Sequence, residues 1–431
     1  MTDLDPRAAV KGSRDPLGIQ SIWTRFGRQV IGNLTNASNS VCDFTILILG
    51  CYFSEQVANN AGPGTELATF LKWEQLADYS RASINADWGF RGTERVRKFL
   101  DDPVITLSAE TAHQILSSQK AYGIWGLYSV PGQASGLLEG QPARLRLLTR
   151  EFVERTYLTA LTKAGPGEGD RITELLGKSR AKMDTGQTAD RRIMEAVAGL
   201  LRRQGGTLER QFYRDHLLYG GPGDQTNGRQ RQLSELLEPL LKGGIPSWTP
   251  AIVRGLAKEA ERRGDAWHSL AFHLGRIETA ERVLAPASDL FTYLLGCDKV
   301  TVAEVARRIR SRDGWGRAVT TIDKSAVVEL KSQFGNRDDQ AGQRWLEIAD
   351  SMANGDYEKL VSLLLQQNRA MMLYRGGAAW IEEENGTLKV RVTEERGQLP
   401  RRDDLEGLWR FPYFLNSLCN VALALNDKGS R

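Results

Sequence analysis

Apolar residues recur along most of the chain at intervals of three and four, the spacing that places side chains on one side of an α-helix. Clear stripes of this kind run through 19–31, 193–201, 233–241 and 345–364. Residues 41–53 are apolar almost all round, which is typical of a helix in the centre of a core. The pattern predicts a mainly α, multi-helical fold.

Helix start signals support the same fold class. Thr249 precedes Pro250, an N-cap followed by proline at the first helical position. Thr301 and Glu304 have the spacing of a capping box, which predicts a helix over 301–312.

Two places favour strands. Residues 137–138 and 145–148 flank a polar turn and predict a small two-stranded ribbon. Near the C-terminus, Asn385 and Gly386 separate two β-prone runs, and this dipeptide is the strongest short hairpin signal. We expect a β-hairpin at about 379–392.

The order of elements over 93–164 predicts a winged-helix-like segment. Helices are expected at 93–100, 108–119 and about 120–136, followed by the ribbon and by a helix that starts at Thr149. In DNA-binding winged helices, one helix enters the major groove and the wing contacts phosphates.

Candidate nucleic-acid contacts follow from that order. Lys120, Tyr122 and Gln133 would belong to the recognition segment, and Arg144 and Arg146 alternate with leucines on the predicted wing. A winged helix that contacts only other proteins is the alternative, since the neighbouring glycines and tryptophan are typical of packing.

The helix over 301–312 carries a second basic feature. Its apolar positions point to one side and leave four arginines on the other: Arg307, Arg308, Arg310 and Arg312. Four guanidinium groups on one face suit phosphate neutralisation. A solvated or ion-paired helix face explains the same run.

The C-terminal region is rich in aromatic residues and arginine. Arg375, Trp380, Trp409 and Tyr413 are candidate partner-binding residues, because tryptophan, tyrosine and arginine dominate interface hot spots. Packing in the core is the alternative interpretation.

Catalytic signatures are weak, and the sequence predicts neither catalytic residues, nor a metal site, nor a cofactor. Gly177-Lys-Ser179 lacks the first glycine of a phosphate-binding loop, and only four histidines are present. Asp313 with Glu329 and Lys331 imitates a metal-dependent nuclease set, although the latter two lie in a predicted helix. A metal-dependent nuclease therefore stays open as an alternative.

Composition changes the picture little. Of 57 basic residues 42 are arginine, yet the 53 acidic residues leave a net charge of only +4. The arginine bias therefore indicates phosphate recognition or merely a GC-rich genome. Four dispersed cysteines and a polar start predict a cytoplasmic protein without membrane contact. Glycine-rich loops suggest three domains, 1–164, 165–298 and 299–431.

Two stretches carry a resemblance to a known group of proteins. The run Asp15-Pro-Leu-Gly-Ile-Gln-Ser-Ile-Trp and the run Asn39-Ser-Val-Cys-Asp-Phe-Thr-Ile-Leu resemble uncharacterised helical accessory proteins of bacterial antiphage defence islands. The likeness covers about the first 100 residues and transfers no functional residue. It implies an accessory or sensor subunit that works on foreign DNA beside a helicase or nuclease encoded nearby. A DNA-binding or assembly subunit is thus the leading hypothesis, and a protein-only scaffold is the alternative.

Overall fold

The structure, a computed structural model, describes residues 15–202, 206–312, 315, 339–392 and 398–426. Its contacts divide the chain into two compact units: unit 1 comprises Met1–Val30 and Pro246–Tyr413, and unit 2 comprises Ile31–Ile245 and Phe414–Arg431. This division differs from the three consecutive segments expected from the loops. Each unit is assembled from distant stretches of chain, which loop composition does not reveal.

The described residues are mainly helical, as the apolar periodicity predicts. In chain order the α-helices are α1 (Ile19–Arg28), α2 (Val41–Ala61), α3 (Glu66–Asn85), α4 (Thr93–Leu100), α5 (Gln119–Tyr122), α6 (Ile124–Ala134), α7 (Leu147–Val153), α8 (Thr159–Ala164), α9 (Glu168–Gly177), α10 (Thr188–Leu201), α11 (Thr207–Tyr213), α12 (Arg229–Leu237), α13 (Pro250–Arg262), α14 (His268–Leu294), α15 (Val302–Ser311), α16 (Asp339–Asn354), α17 (Tyr357–Tyr374), α18 (Arg402–Gly407) and α19 (Leu415–Asn426). Short 3₁₀ turns occupy Thr111–His113, Leu240–Gly243 and Asp265–Trp267, and π-helical turns occupy Glu154–Leu158 and Arg214–Leu218.

Six short strands form three separate antiparallel pairs. They are β1 (Val104–Ser108), β2 (Leu138–Glu139), β3 (Arg144–Leu145), β4 (Arg180–Asp184), β5 (Ile381–Glu384) and β6 (Thr387–Val390). β1 pairs with β4, β2 with β3, and β5 with β6. Asn385 and Gly386 connect β5 to β6 with positive φ angles of 51° and 79°, the conformation that a tight hairpin turn demands.

Helix α2 forms the centre of unit 2, where α3, α6 and α9 pack against it. It starts at Ser40, whose hydroxyl accepts a hydrogen bond from the Asp43 backbone N–H at 3.2 Å. Among the described residues, α2 is the one helix long and apolar enough to cross a membrane, but 67% of its most apolar window is buried within the fold. Such burial is typical of a core helix.

The prediction of a helix over 108–119 is wrong. Those residues form the end of β1, the turn Thr111–His113 and the beginning of α5. Ile105 and Leu107 alternate with Thr106 and are buried, which is the period of a strand. The partner strand β4 lies some 70 residues further along the chain, so local periodicity could not reveal the pairing.

Unit 1 is built on helix pairs, with α13 against α14 and α16 against α17. The predicted N-cap of α13 is confirmed, because the Thr249 hydroxyl accepts from the Ile252 backbone N–H at 3.2 Å. Two buried amides of α17 hold the start of the described chain: Gln367 donates to the Leu17 carbonyl at 2.9 Å, and Asn368 donates to the Pro16 carbonyl at 3.0 Å.

Candidate nucleic-acid interface

Helix α15 is held in unit 1 by a cap and by one apolar face. The Thr301 hydroxyl accepts a hydrogen bond from the Glu304 backbone N–H at 3.1 Å, which starts the helix at the predicted position. Val305, Ala306 and Ile309 are buried. The opposite face of the helix is therefore turned outward.

That outward face carries the predicted arginines. Arg307, Arg308 and Arg310 are exposed, and Arg312 is half-buried just beyond the helix. Glu304 contacts two of them, with its carboxylate oxygens 2.7 Å from the Nε atoms of Arg307 and of Arg308. The hydrogen bonds from Arg307 and Arg308 lower the pKa of Glu304 to about 2, so this carboxylate is ionised at neutral pH. Four guanidinium groups and one carboxylate leave a strongly positive surface.

A cavity of about 360 Å³ adjoins this surface within unit 1. Its lining residues are Tyr293, Gly296, Cys297, Arg308, Arg312, Gln398 and Leu399. The sequence pattern pointed to the two arginines but not to their neighbours, because the cavity brings together three stretches of chain. Among the residues that the structure describes, no carboxylate belongs to the lining, and burial raises the pKa of Tyr293, which stays a neutral phenol.

The end of α15 is fixed by contacts with residues 399–400. Arg312 donates from Nη2 to the Leu399 carbonyl at 3.2 Å, and the buried Trp315 donates from Nε1 to the Pro400 carbonyl at 3.1 Å. Arg312 Nε is buried and has no hydrogen-bond acceptor among the described residues. This arginine is thus positioned with an N–H donor still available, which suits an anionic ligand.

The ribbon predicted over 137–148 is short. β2 and β3 pair Leu138 with Leu145 and Glu139 with Arg144. The Arg144 side chain is exposed. Arg146 follows the strand and forms an ion pair with Glu139, at 3.1 Å between Nε and Oε2. Of the two predicted wing arginines, Arg144 is therefore the more available for phosphate.

The predicted recognition segment consists of α5 and α6. Lys120 and Tyr122 lie on α5 and are exposed, with 60% of the Tyr122 surface accessible. Gln133 on α6 is half-buried, and its Nε2 donates to the Gly140 carbonyl at 3.0 Å. The side chain of Gln133 thus fastens the ribbon turn to α6, whereas Lys120 and Tyr122 face solvent.

The C-terminal aromatic residues pack within unit 1. Trp380 and Tyr413 are 7% and 0% exposed, and Trp409 is half-buried with its ring 5.4 Å from that of Tyr413. Arg375 forms an ion pair with Asp15, at 3.4 Å between Nη2 and Oδ2. For these four residues the structure shows contacts inside the unit; their binding of a partner stays a prediction.

No catalytic group stands out in the described part of the chain. The carboxylates Asp313 and Glu329 and the amine of Lys331 lie outside the described residues. Among the described residues, no cluster of three or more histidine, cysteine, aspartate or glutamate side chains could hold a metal ion. Burial raises the pKa of Cys42 and of Cys419 to about 12, which keeps both as unreactive thiols.

One buried polar cluster was missed by the sequence patterns. In unit 2 the half-buried Asp43 and the buried Asp78 lie against the guanidinium of the buried Arg81, and Glu74 is buried on the same helix as Asp78 and Arg81. Burial raises the pKa of Glu74 to about 7 and the pKa of Asp78 well above its ordinary value. These residues lie on α2 and α3 among apolar neighbours, so only the three-dimensional packing shows that they meet.

Comparison of the chain with protein-family models, with curated proteins and with solved structures found no match.

Proposed function

We propose that the chain is a non-enzymatic DNA-binding subunit that contacts backbone phosphates through the arginines of α15. The observation that carries the proposal is the exposed row Arg307, Arg308 and Arg310, continued by Arg312 at the adjoining cavity. Arginine forks match the geometry of phosphate oxygens, and release of counterions from DNA drives such binding.

The exposed groups of the 93–164 segment supply a second point of contact in this proposal. Arg144 on the ribbon would reach a phosphate, and Lys120 and Tyr122 on α5 would lie against the duplex. The order helix, ribbon, helix supports a winged-helix-like role, although residues 108–119, where the second helix was expected, form the end of β1, a 3₁₀ turn and the beginning of α5.

The setting that fits this activity is a multi-component DNA-processing system of the bacterial cytoplasm, as in antiphage defence. The resemblance of the first 100 residues supports that setting, and a helicase or nuclease encoded nearby would be the partner. In such a system the chain would recognise DNA and bring the catalytic subunit to it.

Fluorescence anisotropy with a labelled duplex tests the proposal. The variant Arg307→Gln/Arg308→Gln/Arg310→Gln should weaken binding at least tenfold at low salt. Its matched control is Arg191→Gln/Arg231→Gln/Arg262→Gln, which removes three exposed arginines that are likewise paired with helical glutamates. Equal losses in the two variants would show that only net charge matters and would refute a site on α15.

A protein-only scaffold is the second candidate, favoured by exposed apolar side chains. Leu147 and Leu148 directly follow the ribbon and are 68% and 63% exposed, and Tyr374 at the end of α17 is 82% exposed. Exposed leucines and tyrosines of this kind occur at docking surfaces. Two results together would favour the scaffold over the DNA-binding proposal. The wild type would not bind DNA, and Leu147→Ser/Leu148→Ser would abolish co-purification with the product of a neighbouring gene.

The same DNA-binding preparation tests the nuclease alternative. Plasmid incubated with the protein and Mg²⁺ or Mn²⁺ should stay intact. Cleavage that chelation abolishes would establish a metal-dependent nuclease instead.

A further inference from the structure

A cavity of about 420 Å³ lies within unit 2, and the arginines of α15 have no part in it. Three separated stretches of chain form its wall: residues 210–214, residues 238–242 and residues 423–426. Three cations, Arg210, Arg214 and Lys242, line it together with one carboxylate, Glu238. Leucine side chains complete the wall, so the cavity has a cationic part and an apolar part.

The three cations have no ion-pair partner within the described residues. Two exposed arginines elsewhere in unit 2 do have one: Arg191 lies 3.0 Å from Glu195, and Arg231 lies 3.1 Å from Glu235. Converging like charges repel one another, and their repulsion is relieved when an anion binds between them. Among the described residues, the cavity thus brings together three cations and one carboxylate, which leaves it a net positive charge.

Arg210 and Arg214 are four positions apart on continuous helical backbone, and both line the cavity. Helix α11 ends at Tyr213, and the π-helical turn starts at Arg214, whose carbonyl accepts from the Tyr219 backbone N–H at 3.0 Å. Single π turns inside helices are frequent at functional sites. Arg214 also donates from Nη2 to the Asn426 side-chain oxygen at 3.1 Å, and this neutral partner orients the guanidinium without cancelling its charge.

We propose that this cavity binds a nucleotide, with its phosphates between Arg210, Arg214 and Lys242 and its base or sugar against the leucines. Guanidinium groups bind phosphate oxygens through paired hydrogen bonds, and an ammonium adds a point charge. The volume lies within the range of about 300–1,000 Å³ that small-molecule sites occupy. The nucleotide is either free, as a nucleoside triphosphate, or part of a nucleic-acid strand.

Isothermal titration calorimetry of the full chain tests this site with three probes: pyrophosphate, ATP and a single-stranded oligothymidylate. Pyrophosphate reports the phosphate contacts alone, ATP adds the base and sugar, and the oligonucleotide represents a strand. We expect ATP to bind more tightly than pyrophosphate because of the apolar wall. Loss of one hydrogen-bonded cation should weaken binding about tenfold to a hundredfold.

The variants separate binding from folding. Arg210→Gln/Arg214→Gln should weaken binding of the bound probe at least tenfold, and Lys242→Gln should weaken it with unchanged thermal unfolding, since Lys242 is exposed and forms no hydrogen bond or ion pair with described residues. Glu238→Gln should strengthen binding, because it removes a negative charge from the wall. Arg191→Gln, a remote arginine of unit 2, should change nothing.

The three probes distinguish a free nucleotide from a nucleic-acid strand, and they can also refute the site. Binding of ATP identifies a free nucleotide, and binding of the oligonucleotide without ATP identifies a strand, provided that Arg210→Gln/Arg214→Gln abolishes it. Absence of binding by all three probes at millimolar concentration would overturn the proposal. So would binding of pyrophosphate or ATP that survives in Arg210→Gln/Arg214→Gln. The oligonucleotide is titrated into the Arg307→Gln/Arg308→Gln/Arg310→Gln protein, with and without Arg210→Gln/Arg214→Gln, so that strand binding by α15 is not mistaken for binding by the cavity.

Discussion

Arg81 and Asp43 meet inside unit 2, where Nη1 of Arg81 lies 3.4 Å from Oδ1 of Asp43 although the residues are 38 positions apart. Tyr128 donates its hydroxyl to the other carboxylate oxygen of Asp43 at 2.9 Å. The same guanidinium lies 3.6 Å from Oδ1 of Asp78. One buried cation therefore contacts the half-buried Asp43, the buried Asp78 and, at 2.8 Å from its Nε, Asp87, and its pair with Asp43 links α2 to α3.

Removal of that cation should be costly. Arg81→Gln leaves the buried Asp78 and the half-buried Asp43 without their ion-pair partner, and we expect the free energy of unfolding to fall by about 3–5 kcal/mol. Urea denaturation measures the change. Arg191→Gln, whose side chain is 59% exposed, should cost less than about 1 kcal/mol. Similar losses in both variants would show that the buried cluster is not a stabilising link.

The stability of unit 1 should depend on pH through Glu281. Burial raises the pKa of Glu281 from 4.5 to about 7, although it accepts hydrogen bonds from the Phe411 N–H at 3.1 Å and the Tyr413 hydroxyl at 2.8 Å. Between pH 4.5 and 7 the folded state therefore binds more protons than the unfolded state. The free energy of unfolding should fall as pH rises through that window, by about 3 kcal/mol from this group.

Glu281→Gln tests that dependence without removing the contacts. The amide oxygen can accept the backbone N–H groups, and the amide nitrogen can donate to the Tyr413 hydroxyl. Urea denaturation from pH 5 to 8 measures the free energy of unfolding of both proteins. We expect the wild type to lose stability relative to the variant as the pH rises. A constant difference would mean that Glu281 titrates normally.

A hydroxyl network anchors α11 to α2. The Tyr213 hydroxyl lies 2.7 Å from the Thr45 hydroxyl and 3.2 Å from that of Tyr157. Tyr213→Phe removes these bonds, while Thr45 still donates to the Val41 carbonyl and Tyr157 to the Glu209 carboxylate, so we expect a loss of about 0.5–1.5 kcal/mol in chemical denaturation. Tyr122→Phe makes the same chemical change on a side chain that is 60% exposed and should have no measurable effect. An unchanged free energy of unfolding in Tyr213→Phe would contradict a stabilising role of the network.

The contact between α2 and α3 depends on a missing side chain at Gly50. A Cβ there would lie 2.6 Å from Phe70 Cε2 and 2.7 Å from Trp73 Cδ1, and both rings are fully buried. Gly50→Ala should lower the unfolding free energy by about 1–3 kcal/mol through overpacking. Gly199→Ala on the exposed face of α10, where a Cβ meets nothing within 4 Å, should raise it by about 0.5–1 kcal/mol. The two substitutions should therefore shift the midpoint of thermal unfolding in opposite directions, downward for Gly50→Ala and upward for Gly199→Ala.

Local signals in the sequence predicted the helices well. Thr249 and Thr301 cap helices at the expected residues, because capping depends on side chains only three positions away. The Asn385-Gly386 turn is equally local. Strand β1 is not predicted from the sequence, because its partner β4 follows much later and pairing between distant strands leaves no mark on local periodicity.

The candidate sites show the same limit. The arginines of α15 could be predicted, because helical spacing alone separates them from Val305 and Ile309. Tyr293 and Leu399 could not be placed beside them, as the cavity unites stretches about 100 residues apart. The cluster at Arg81 was hidden for the same reason.

The dependence of DNA affinity on salt concentration is the direct test of phosphate binding by the arginines of α15. For the wild type, the logarithm of the binding constant should fall linearly with the logarithm of salt concentration, with a slope of about −0.9 for each phosphate bound. In Arg307→Gln/Arg308→Gln/Arg310→Gln the slope should become less negative by about 0.9 for each phosphate that the variant no longer binds, whereas in Arg191→Gln/Arg231→Gln/Arg262→Gln it should stay as in the wild type. A wild-type affinity insensitive to salt, or a slope that the α15 substitutions leave unchanged, would contradict phosphate binding by this helix.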